Sequence, residues 1–118
     1  MNGAAMNENS KCLIDKKCVP CEGGVPALSD SQEDGFTPLI PEWALSREGV
    51  HRLTRNYQFR DFVEAMAFVN KVADVAEEEG HHPNIAISWN RVDLELFTHA
   101  IGGLSENDFI VAAKIDAL

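Results

Sequence analysis

A chain of 118 residues has room for one small domain with one core, and its 45% apolar content argues for a folded body rather than a disordered tail. The net charge of −9, from 19 acidic against 10 basic side chains, excludes the basic footprint that direct nucleic-acid binding needs and disfavours docking on an anionic membrane. No apolar run approaches membrane-spanning length, and the polar stretch Met1–Asn9, without Lys or Arg, resembles neither a secretory signal nor a transit peptide, so a cytoplasmic setting is expected.

Residues 1–35 are rich in Gly, Ser, Asn and charge, and they read as a flexible arm with a short helical turn around Leu28–Glu33. All three cysteines, Cys12, Cys18 and Cys21, lie in it. An odd count outside the presumed core is not a disulfide framework, and reduced thiols are expected. Cys18-Val19-Pro20-Cys21 has only Cys12 as a third ligand where a closed zinc site wants four. Nor does a helix start follow it, as a redox motif would require. The domain proper is expected over residues 36–118.

Trp43–Arg47 and His51–Phe59 read as two strands joined at Glu48-Gly49, the second with Leu53, Tyr57 and Phe59 on one side. Asp61–Glu79 reads as the long helix, opened by Asp61 with Glu64 and closed by Gly80. Phe62, Met66, Val69, Ala73 and Ala76 form one apolar row. A second row, Ala65, Phe68, Val72 and Val75, is expected to pack on another subunit, against the plainer reading of a deeply covered helix. Asn84–Trp89 and Val92–His99 follow as strands joined at Asn90-Arg91, and Ser105 with Asp108 opens a last helix to about Asp116. The order predicts an α+β fold: a four-stranded antiparallel sheet with helices packed on one face, in a single small domain. His99 would lie on the opposite face or at its rim.

Three of the four histidines, His81, His82 and His99, flank this second pair of strands. Pro83 fixes its own backbone and pushes His82 out of helical geometry, so the imidazole pair sits on a rigid boundary. Imidazole both gives and takes protons near neutral pH, which marks the trio as acid/base candidates against the plainer reading of surface histidines. Two histidines four apart on a helix with a glutamate, the strong metal pattern, are absent, so no metal is expected. His51 reads as structural.

Glu77, three residues, His81-His82-Pro83, five residues, Trp89, nine residues, His99, eight residues and Asp108 form a pattern that resembles the pterin-4a-carbinolamine dehydratases. Trp43, the run Tyr57–Phe62 and the leader Lys17–Gly24 are also similar to that family. The resemblance implies dehydration of a 4a-hydroxytetrahydropterin to the quinonoid dihydropterin, without metal or redox cofactor, recycling the tetrahydropterin used by aromatic amino acid hydroxylases. It implies that His81, His82 and His99 share the proton transfers and that Glu77, Pro83 and Asp108 support them. Trp43 and Trp89 would flank the flat ring, against the plainer reading of buried aromatics as core. A homodimer or homotetramer is expected for so small an enzyme. Animal members also serve as dimerisation cofactors of a homeodomain transcription factor, which is the alternative, non-enzymatic reading.

Overall fold

A computed structural model describes residues 13–19 and 25–118. The elements run α1 (Asp30–Phe36), β1 (Ala44–Ser46), β2 (Arg52–Gln58), α2 (Phe62–Glu79), β3 (Asn84–Ser88), β4 (Arg91–Leu96) and α3 (Glu106–Asp116), with 3-10 turns at Thr37–Leu39 and His99–Ile101. Every strand pairing is antiparallel, in the spatial order β1-β2-β4-β3.

Period-two alternation decides which face is covered. Val92, Leu94 and Leu96 on β4 are buried, and the register sets Leu53 opposite Leu96 and Ile87 opposite Val92 on the same face. Both long helices contribute to the core under it, through Ala65 and Val72 of α2 and Phe109, Ile110 and Val111 of α3. Thr54, Asn56, Asp93 and Glu95 alternate onto the polar face. This is the expected α+β arrangement with helices on one face.

Local signals place the ends of the helices. Asp61 Oδ1 accepts from the Glu64 N–H at 2.9 Å at the start of α2, and Gly80 ends it in the left-handed conformation, φ 65°. At α3 the Ser105 N–H donates to Asp108 Oδ2 at 2.9 Å.

Four expectations need correction. The second apolar row of α2 faces the chain's own core, since Ala65 and Val72 are fully buried, while Phe62 and Ala73 of the first row are exposed. The β3–β4 turn is Trp89-Asn90, because Ser88 still pairs with Arg91. β4 stops at Leu96: Thr98 turns to bridge Gly103, and its hydroxyl bonds to Asp108.

Finally, the described part of residues 1–35 is packed on the domain rather than extended from it. Leu13 sits in the core at 2% exposure, joined by Ile14, Cys18 and Leu28. On α1 the fully buried Glu33 accepts from Arg47 Nε at 2.9 Å and lies 2.8 Å from His51 Nδ1, which gives its charge the partners burial demands. A few apolar anchors and one paired carboxylate suffice to dock a segment whose composition is mostly polar. Cys12 and Cys21 lie outside the described residues.

Candidate active site

The left-handed turn at Gly80 redirects the chain after α2, with the Gly80 N–H bonded to the Ala76 carbonyl and the His81 N–H to the same oxygen at 3.2 Å. His81 is thereby aimed inward, its side chain 13% exposed, and its Nε2 lies 2.6 Å from Asp108 Oδ1. Asp108 is fully buried in the first turn of α3. Its other oxygen accepts from Thr98 Oγ1 at 2.8 Å and from the Ser105 N–H at 2.9 Å.

A buried carboxylate without such donors would be costly. Asp108 has three, together with the positive end of the α3 dipole. Nε2 of His81 is engaged by its contact with Asp108, which leaves Nδ1 as the nitrogen for exchange.

His82 turns the other way. Its Nε2 lies 2.6 Å from Glu77 Oε2, on the exposed flank of α2. His99 opens the 3-10 turn past β4, its exposed ring 4.3 Å from that of Phe97, and its nitrogens bond to nothing among the described residues. It stands past the end of the sheet, at the rim. Because Asn84 pairs with Glu95, residues 81–83 run alongside residues 96–98, and Asp108 ties the two stretches together through His81 and Thr98. Pro83 is half-buried between His82 and β3. One end of the sheet thus carries two carboxylate-backed imidazoles, His81 turned inward and His82 outward, with His99 at the rim, side chains that can each exchange a proton.

Two hollows, of about 480 Å³ over the polar sheet face and about 550 Å³ beside the start of α3, are lined by neither the histidines nor their carboxylate partners.

The tryptophans are not brought to the histidines within this chain. Trp43 is 7% exposed and its indole donates to Asp116 Oδ1 at 2.8 Å. Asp116 lies eight positions beyond Asp108, about 12 Å along α3. Trp89 is exposed at the tip of the β3–β4 hairpin, a strand length of about 17 Å from the histidine end. Thr98 carries no mark of its own in the sequence, where it reads as one more alternating strand residue. Its place before His99, seven residues ahead of the helix-opening Ser105, is the one available signal.

Among the described residues, donor atoms close enough to share an ion occur at Asp30, Glu33 and His51, where Arg47 already bonds to Glu33. His81, His82 and His99 form no such group among the described residues. Burial pushes the Cys18 thiol up to about 12, reinforced by the Glu79 carboxylate beside it, so it carries no thiolate at neutral pH.

The profile of the family described as Pterin 4 alpha carbinolamine dehydratase matches residues 26–118. A protein of Rubrobacter xylanophilus named for that dehydratase is 46% identical over 106 residues, covering 90% of this chain and 97% of its own length. One from Rickettsia bellii, named likewise, is 49% identical over 107 residues, covering 90% and 93%.

Among solved structures, a transcriptional coactivator/pterin dehydratase from Brucella melitensis superposes with a TM-score of 0.71 at 32% identity, over 77% of this chain and 96% of that one. A pterin dehydratase-like RuBisCO assembly factor of the alpha-carboxysome gives 0.55 at 26% identity, over 64% and 87%.

Proposed function

Because this chain belongs to the pterin-4a-carbinolamine dehydratase family and is a hydro-lyase, we propose that it converts a 4a-hydroxytetrahydropterin into quinonoid dihydropterin and water by histidine acid/base catalysis. The observation that carries this reading is His81, held by a buried carboxylate with one ring nitrogen left over.

Hydroxide leaves poorly, so an imidazolium donates a proton to the 4a-oxygen as the C4a–O bond breaks and its electron pair departs with water. The N5 lone pair closes the N5=C4a double bond, and the N5 proton passes to a neutral imidazole. One proton is given and one taken, so no redox partner is needed. His81, His82 and His99 share these roles. For His81 and His82 the exchanging atom is Nδ1, since Nε2 is engaged by Asp108 and Glu77. Pro83 keeps the pair on its turn.

The same reading includes recycling of tetrahydropterin for aromatic amino acid hydroxylases, a cytoplasmic setting and assembly into a homodimer or homotetramer. Support for assembly comes from the exposed apolar side chains Phe62, Val63, Ile85, Ile87 and Trp89. Among the described residues no helix is long and apolar enough to cross a membrane.

The test is the rate of 4a-hydroxytetrahydropterin breakdown with wild type beside His81→Ala and His82→Ala. Loss of rate supports the chemistry, and equal rates for the three proteins overturn it. The coactivator description carried by the Brucella protein favours a second, protein-binding role. A double variant at His81 and His82 that bound a transcription factor without catalysing would establish that role.

A further inference from the structure

Glu79 is a buried charge for which the proposed proton transfers have no use. It closes α2, its side chain is 1% exposed, and it stands two residues before His81. Its carboxylate accepts from Lys114 Nζ of α3 at 2.6 Å and from the Cys18 N–H at 2.9 Å. Removing one partner of such a buried pair leaves the other charge uncompensated, so Glu79 and Lys114 hold each other, and with them the ends of α2 and α3, in place. The neighbouring contacts indicate which geometry. Asn107, immediately before Asp108, grips Val19 from both sides: the Val19 N–H donates to Asn107 Oδ1 at 3.0 Å, and Asn107 Nδ2 donates to the Val19 carbonyl at 2.6 Å.

Cys18 and Val19 are consecutive. One is fixed to the end of α2 and the other to the start of α3, the two elements that supply His81 and Asp108. Lys17 Nζ adds a bond to the Glu78 carbonyl at 3.0 Å, and the buried Leu13 anchors the strap upstream. The 2.6 Å contact between His81 and Asp108 spans 27 residues of sequence and depends on how these two helix ends sit.

We propose that the leader segment Lys17–Val19 is a brace of the active site, with Glu79 and Asn107 as positioning residues that hold His81 Nε2 at hydrogen-bonding distance from Asp108. The word active rests on the dehydratase reading above; the brace itself does not. Misplacement of a reacting group by about 1 Å can cost on the order of 100-fold in rate. Partial loosening of one strap contact is therefore expected to lower kcat about tenfold.

The test uses the full chain with Asn107→Ala, Glu79→Gln and Glu79→Ala, each checked for cooperative urea unfolding. Three readouts are taken: kcat against KM, the pH–rate profile, and the nitrogen-15 NMR signature of the His81 imidazole. The brace predicts a fall in kcat with KM held within about twofold, a displaced limb of the pH profile, and a His81 ring that loses its fixed tautomer. It also predicts that Glu79→Gln, which keeps an acceptor for the Cys18 N–H, loses less than Glu79→Ala.

Variants that fold yet keep both the wild-type His81 signature and the wild-type kcat overturn the brace. Should the substitutions abolish folding, Val19→Pro removes one strap donor at an exposed residue, and an unchanged His81 signature there overturns it equally. If the wild-type protein shows no dehydratase activity, the enzyme reading fails while the His81 signature still decides for or against the brace.

Discussion

Asp108 lies 2.6 Å from His81 through one oxygen and uses the other to hold Thr98 and Ser105, so a single buried carboxylate joins the turn after α2 to the segment that carries His99. Asp108→Asn keeps the shape but places an amide where an acceptor is needed, which favours the opposite tautomer of His81. On the dehydratase reading, kcat for 4a-hydroxytetrahydropterin dehydration should fall by about 10²–10⁴. His81 would show the changed tautomer by nitrogen-15 NMR. A variant with wild-type kcat would remove Asp108 from the mechanism.

The outer pair should behave differently. Glu77 and His82 are 78% and 59% exposed along their side chains, so Glu77→Gln should change unfolding free energy by no more than about 0.5 kcal/mol. Its effect should appear in rate alone. Urea titration beside initial-rate measurement separates the two, and a loss of stability without a loss of rate would make the pair structural.

Acid stability should report Glu79. Burial pushes its carboxyl up, but Lys114, the Cys18 N–H and Lys17 outweigh that and hold it below the usual carboxylate range. A carboxyl with a lower pKa folded than unfolded contributes stability that is fully present above its unfolded value, about 4.3, and is lost as pH falls through the folded one. Glu79→Gln should therefore be less stable than wild type at pH 7, with the gap closing on acidification. Urea midpoints taken stepwise from pH 7 downward check it. A gap that widened in acid would contradict the assignment.

Trp89 has φ 50° at the first position of a two-residue hairpin turn, where Gly is the usual occupant, and its side chain is exposed. Trp89→Gly gives up little burial and relieves strain of order 1 kcal/mol. The expected result is a higher thermal midpoint for the isolated protomer. A lower one would show that the indole makes a stabilising contact.

Gly103 lies against the segment entering α1: a Cβ there would stand 2.8 Å from the Ala27 Cβ. Gly103→Ala should cost about 1–3 kcal/mol in urea unfolding. The Thr98 N–H bonds to the Gly103 carbonyl at 2.8 Å, so the displacement should also reach Asp108 and lower kcat. Unchanged stability would show that the backbone yields at that point.

Much of the fold is legible in the sequence, because its signals are local. Alternation at Val92, Leu94 and Leu96 names the buried face of β4, while Asp61 and Gly80 mark the ends of α2 within one turn of the residues they cap. The candidate histidines were legible through spacing and a family resemblance. Their surroundings were not. Helical periodicity shows that α2 has two apolar rows but not which one meets the sheet, since that depends on how the helix is rotated over it.

Partners far apart in sequence are hidden for a related reason. His81 with Asp108, Cys18 with Glu79 and Trp43 with Asp116 leave no periodic trace in the chain, because each contact exists only once both elements have docked. The sequence by itself thus determined the elements, their order and the imidazoles available. Only the tertiary structure decided that Trp43 belongs to the core, that Leu13, Ile14 and Cys18 pack against that core, and that a single carboxylate links two segments of the candidate site.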